Sequence, residues 1–307
     1  MRAYVSGSIV AGPGWLRACM LTVIGADIFV CGNVAVIVHG TIALCAVLLY
    51  EYPACLALAI IGAATIKPIF LVYNAVFLLH PMRLGRKVFY SAISVLGGLA
   101  PFVIFMRYNP HLFAQDMSLL HYYALVDDRG PGFLNLAGFV GLRSVDLRMA
   151  ALYGLFVAIL VSAAIYIVTA SEAPVRARIW IGVTVSILAD PRLMFYDFLT
   201  VGAGLVSVVG LSRHLGRPFS RAVNWYVVTL CVVSSILNSR GGQYGLYLFV
   251  PGAYLLIVGI ASGFLLRGRR GAAVITTAPH IYGGAASHPE TSSPGYRALQ
   301  PTPKRLM

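Results

Sequence analysis

Read along its length, the chain alternates long apolar runs with short polar connections. The runs lie near 15–30, 32–49, 53–79, 88–106, 151–170, 179–188, 195–211, 223–237 and 244–264. Most approach the ~20 residues that a helix needs to cross a bilayer. Strands of a membrane barrel would alternate in polarity over about ten residues, and these runs do not. The pattern therefore predicts an all-α, polytopic transmembrane bundle of eight to nine spans, the runs at 15–30 and 179–188 being short for a crossing.

Loop charge orients the bundle. Arg83, Arg86 and Lys87, then Arg176 and Arg178, then Arg213, Arg217 and Arg221, and finally Arg267, Arg269 and Arg270 all fall in connections that span counting places on one side. Positive connections mark the cytoplasmic side. The long loop at 107–150, the Asp190-Pro191-Arg192 turn and the 238–242 link are then expected on the extracytoplasmic face of a multi-pass cell-membrane protein. Within that loop, 111–123 mixes aromatics with Asp116 and suits an amphipathic interfacial helix. Polarity rises through Asp127-Asp128-Arg129-Gly130-Pro131-Gly132. The expected organisation is a membrane domain over 1–266 and a Gly-, Ala-, Ser- and Pro-rich disordered cytoplasmic tail over 267–307.

Composition sharpens this class. Hydrophobic residues make up 59% of the chain and charged residues only 11%, with a mean hydropathy of +0.83, whereas soluble domains carry about a quarter charged residues. The net charge of +13 is distributed over short connections rather than one continuous face, which argues against nucleic acid as a partner. Membrane lipids are the surroundings this surface fits. Cys19, Cys31, Cys45, Cys55 and Cys231 sit in or beside apolar runs, with no disulfide framework or metal spacing. No signal-peptide order is visible at the amino terminus, and no phosphate loop, nucleophile elbow or His/Cys metal cluster appears. No cofactor is identified, no metal ligand is assigned, and a divalent-metal requirement is left open.

Candidate chemistry lies where ionisable residues interrupt apolar sequence, because a central Lys or Asp costs about 2.5–3.5 kcal/mol to insert. Lys67-Pro68 falls in the middle of the 53–79 run, where a proline removes a backbone hydrogen bond and kinks the helix beside a cation. A kink next to a charge suits an anion site, and snorkelling to the interface is the plainer alternative. Asp190-Pro191-Arg192 breaks the next pair of runs, since the residue before proline is pushed out of the helical region and Asp favours turns. Tyr196-Asp197 opens the following helix, where an acid also suits helix-dipole capping. Gly32-Asn33 precedes another apolar helix, and Asn33 also suits a cap there. Span counting puts that bend on the cytoplasmic side, opposite Asp190. His39 and Asn74 are isolated polar groups for which interhelical hydrogen bonding is an adequate role, and Gly259 with Gly263 makes a small-residue packing pair.

The order of these motifs, Gly32-Asn33, then Ile66-Lys67-Pro68, then Asp190-Pro191 leading to Tyr196-Asp197, resembles glycosyltransferase family 87, whose members are multi-spanning GT-C type enzymes. The similarity covers roughly 27–211. It implies transfer of a sugar, often mannose, from a polyprenyl-phosphate donor to an acceptor at the extracytoplasmic face, with inversion at the anomeric carbon. By position, Lys67 and Arg192 would hold the lipid-linked phosphate. Tyr196 or Asp197 would orient a sugar hydroxyl, and Asn33 would line the substrate site. Asp197 and Asp190 are the candidate catalytic carboxylates, but no general base is identified. Family members carry earlier spans and a first extracytoplasmic loop with the acidic residue taken as base, and this sequence starts after them; Asp27 does not match that loop position. A downstream start, a truncated gene, or a partner subunit supplying the missing half would each account for this. Two other classes stand beside the enzyme: a non-catalytic membrane subunit and, with less support, a transporter, which would bring inverted repeats that the sequence lacks.

Overall fold

The computed structural model describes residues 34–122, 130–142, 146–193, 200–239 and 244–277, all helices and connections with no strand among them. It divides into a unit through Gly268 and a second from Arg269 to Met307. Of the second unit, the described part is the helical continuation to Thr277.

The first unit opens with α1 (Val34–Leu48) and α2 (Pro53–Ile66). The 53–79 run was expected as one kinked span, and the structure differs. Lys67 leaves the helix with φ −145° and ψ 120°, the extended conformation that a following proline imposes. Pro68 then starts a 3-10 helix, Pro68–Asn74, which passes into α3 (Ala75–Leu79). The chain turns back here. His80 Nε2 lies 2.8 Å from the carbonyl oxygen of Tyr50, so the segment ends beside the place where it began. Ala64 and Leu71, on opposite arms, both face Gly98, as a hairpin folded at Lys67-Pro68 requires. With 14 residues in α2, the tip stands about 21 Å from its base.

From that base α4 (Leu84–Tyr108) rises along the hairpin, with Lys87 Nζ donating to the carbonyl of Leu78 at 2.6 Å. The short α5 (Pro110–Tyr122) follows, so the expected amphipathic stretch is helical as far as Tyr122, and then α6 (Phe133–Phe139). Next, α7 (Leu147–Ala170) returns, its N-terminus capped by Asp146, whose Oδ1 accepts from Met149 N–H at 2.9 Å. The central helix is α8 (Val175–Leu188), buried at every position from Ile179 onward. A helix apolar on all sides belongs inside a bundle, which explains why this run is too short for a lipid-facing crossing. Beside it lies α9 (Val201–Leu211), running back along α8 with Gly204 against Trp180 and Thr184. A 3-10 turn, Ser212–Leu215, leads into α10 (Arg217–Ser239), and α11 (Tyr244–Thr277) packs antiparallel to it, Gly252 lying under Leu230.

Among the described residues, four helices are long and apolar enough to cross a membrane: α4, α7, α10 and α11 as far as Gly268. They carry exposed Leu96, Val103, Ile104, Leu155 and Leu255, a surface that water would penalise and lipid accepts. The protein is a helical membrane protein. Antiparallel packing gathers Tyr50, His80, Arg83, Lys87, Arg176 and Arg178 at one end, with Arg178 in electrostatic range of Lys87 and Arg176 in range of Tyr50. Lys67 and the turn after α8 lie toward the other. The N-terminal end of α1 also points away from the basic end, because α1 and α2 are antiparallel and join through the 49–52 turn. Once 53–79 is a hairpin rather than a span, the start of α1 at Val34 lies toward the end that carries Asp190; the Gly32-Asn33 bend itself lies outside the described residues.

Candidate functional site

The turn after α8 is a buried polar feature toward the end opposite the basic cluster. Asp190 is 7% exposed. Its Oδ1 accepts the Arg192 N–H at 2.9 Å, the side-chain-to-backbone closure that favours Asp in turns. Pro191 fixes the bend between them. One carboxylate oxygen is therefore committed to shaping the turn, so the candidate catalytic acid has a structural duty as well. Arg192 is half-buried.

Over this turn lies a segment whose role the sequence pattern did not reveal. Leu134 N–H donates to the carbonyl of Pro191 at 2.9 Å. A Cβ on Gly132 would sit 2.8 Å from the Pro191 oxygen, 2.9 Å from Leu193 N and 3.0 Å from the Asp190 oxygen. Gly130, at φ +60°, lies so near the Leu193 carbonyl that a methyl group there would overlap it. Two glycines thus allow backbone to lie on backbone. The Gly130-Pro131-Gly132 pattern was a readable sign of such an approach, but nothing in it named the partner.

Below the turn, Tyr153 of α7 donates its hydroxyl to the carbonyl of Ala189 at 2.7 Å. Its ring meets Phe133 at 5.2 Å, Phe133 meets Phe156 at 5.4 Å, and Phe156 stacks on Tyr254 at 4.5 Å. An apolar groove of about 290 Å³ opens along this ladder, lined by Phe133, Leu136, Leu152, Phe156 and Tyr254 among others.

The other expected residues distribute unevenly. Lys67 occupies the hairpin tip, exposed, with its N–H bonded to the Ala63 carbonyl at 3.1 Å. Because α2 and α8 have 14 residues each, Lys67 and Asp190 stand at comparable heights, about 21 Å from the basic end. Asn33, Tyr196 and Asp197 lie outside the described residues, as does Asp27. His39 makes the expected interhelical bond, its Nδ1 lying 2.6 Å from the Tyr73 hydroxyl. Asn74 instead donates to Leu71 within its own segment at 2.8 Å. Among the described residues no group of three His, Cys, Asp or Glu side chains could hold a metal ion.

Comparison with known proteins finds no matching family model, no matching curated protein and no matching solved structure.

Proposed function

We propose that the chain is the bundle of a membrane glycosyltransferase that takes a hexose, mannose by resemblance, from a polyprenyl-phosphate donor and passes it to an extracytoplasmic acceptor. The observation that carries the reading is that Lys67, at the tip of a broken hairpin, and the Asp190-Pro191-Arg192 turn each follow a 14-residue helix that starts at the basic end. Both interrupt apolar sequence, and both lie away from the basic end, which loop charge assigns to the cytoplasm. The groove along Phe133, Phe156 and Tyr254 suits the apolar tail of a lipid-linked sugar. In this reading α1, α4, α7, α8, α9, α10 and α11 cross in GT-C fashion, and the 15–30 run adds a further crossing.

Chemically, the acceptor hydroxyl loses its proton to a base and its oxygen bonds to the anomeric carbon. The bond from that carbon to the phosphate oxygen breaks, and the polyprenyl phosphate leaves with the electron pair. Lys67 and Arg192 offset the charge that develops on the departing phosphate. By the resemblance, Tyr196 and Asp197 orient the sugar and Asn33 belongs to the substrate site. A partner subunit is the source of the base if this chain supplies none.

The test is transfer from radiolabelled polyprenyl-phosphate-mannose in membranes carrying the full chain with any co-expressed partner. Lys67→Ala and Arg192→Gln should each lower transfer on the order of a hundredfold while the protein still elutes as a folded species. Unchanged transfer in both variants removes the site. A second reading, a non-catalytic subunit, draws on a groove of about 490 Å³ between α7 and α11 lined by small residues such as Ala158, Ser162, Ala261 and Ser262, a surface that suits a docking helix.

A further inference from the structure

At the start of α10 the chain builds a feature that sugar transfer does not use. Arg217 and Arg221 are one helical turn apart, followed by Asn224, Trp225 and Val228, and these positions share one face of α10 at helical spacing. Arg213, in the 3-10 turn just before, adds a third guanidinium. A cavity of about 290 Å³ is lined by Arg213, Arg217, Ser220 and Arg221. A second, of about 380 Å³, is lined by Arg221, Asn224, Trp225 and Val228. Arg221 belongs to both, so the two form one track along the helix. It runs from three cations to an indole and then to an aliphatic side chain.

The charges are not neutralised from within. Between Asp197 and Glu290 the sequence has no acidic residue, and none of the three arginines makes an ion pair with a described residue. Arg213, Arg217, Arg221 and Trp225 are exposed, Trp225 at 71%, which is high for the largest apolar side chain in a helix that crosses lipid. Tryptophan favours the headgroup level of a bilayer, and Trp225 stands about 12 Å along α10 from Arg217. The order of cations, tryptophan and aliphatic side chain matches the order of phosphate, glycerol region and acyl chain met on entering a leaflet. Guanidinium groups grip phosphate oxygens two at a time, and basic pockets beside crossing helices select anionic headgroups.

We propose that Arg213, Arg217, Arg221, Asn224 and Trp225 form a binding site for an anionic phospholipid, with the arginines on its phosphate and the acyl chain along Trp225 and Val228.

Fluorescence quenching tests this on the full chain with Trp15→Phe and Trp180→Phe, leaving Trp225 as the reporter, in phosphatidylcholine vesicles doped with brominated phosphatidylglycerol or brominated phosphatidylcholine. The anionic lipid should quench at a several-fold lower mole fraction. Arg217→Gln and Arg221→Gln should each reduce that preference about fivefold. If the double tryptophan variant does not fold, the unmodified chain serves, and the preference should vanish on Trp225→Phe. Equal quenching by both lipids overturns the proposal, as does a preference that survives the arginine changes. Loss of the preference on adding inorganic phosphate at constant ionic strength, or an acidic peptide, would give the site to a soluble anion or a protein partner and overturn it as well.

Discussion

Leu134 donates its amide hydrogen to the carbonyl oxygen of Pro191 at 2.9 Å, joining the long loop to the turn that follows the central helix. The contact depends on Gly132, where a Cβ would stand 2.8 Å from that same oxygen and 3.0 Å from the carbonyl of Asp190. Backbone atoms on both sides leave little room to yield. Gly132→Ala should therefore lower stability by about 1–3 kcal/mol. Gly154→Ala, where nothing lies within 4 Å of the added carbon, should be tolerated. Thermal unfolding in detergent, comparing the two variants, checks this, and equal behaviour would mean that the loop is not docked.

His80 should make the base of the hairpin sensitive to acid. Met82 N–H donates to its Nδ1 at 3.3 Å, so the proton resides on Nε2 and points at the Tyr50 carbonyl, 2.8 Å away. Burial lowers the imidazole below its ordinary value of 6.5, Lys87 pushes the same way, and the bond to Tyr50 opposes both. The folded form binds its proton less readily than the unfolded chain. Stability should thus be full above 6.5 and fall as the pH drops below it, until the folded-state value is also passed. Melting temperature against pH for the native chain and His80→Gln gives the answer: a flatter acid limb in the variant is expected, and identical limbs would exonerate His80.

How much of this was legible beforehand depends on what each residue touches. The apolar runs announced helices because their composition is set by lipid and core together. The break at Lys67-Pro68 announced itself through proline sterics. The direction taken after the break did not, because a kinked span and a returning hairpin have the same local sequence. It is decided by remote contacts, such as Ala64 and Leu71 meeting Gly98. Asp190 was visible as a costly charge, whereas its cover, Gly130 to Leu134, depends on backbone atoms that carry no side-chain signature. Of the Gly259 and Gly263 pair, only Gly263 faces a neighbour, at Leu215 and Phe219. Spacing alone did not distinguish the two.

One close helix crossing is Gly204 of α9 against α8. A methyl group there would overlap the Thr184 hydroxyl and the Trp180 carbonyl, and Thr184 Oγ1 already donates to the Val201 carbonyl at 3.1 Å. Gly204→Ala should abolish a monodisperse folded peak in size-exclusion chromatography. Adding Thr184→Ala should rescue it only in part, because the Trp180 carbonyl stays where it is. Full accumulation of the single variant would show that the two helices lie farther apart.

The hairpin makes the sharpest claim about topology. If 53–79 crossed the membrane once, Glu51 and Arg83 would face opposite compartments; with His80 bonded to Tyr50 they face the same one. Both residues are exposed, so each can be replaced by cysteine in a chain whose five native cysteines are changed to alanine. An impermeant maleimide applied to sealed vesicles of known orientation should treat the Glu51→Cys and Arg83→Cys variants alike. Asn109→Cys, one residue past the far end of α4, should show the reverse pattern, since α4 is long enough to cross. Opposite labelling at 51 and 83 would restore a single span and return the start of α1 to the basic side.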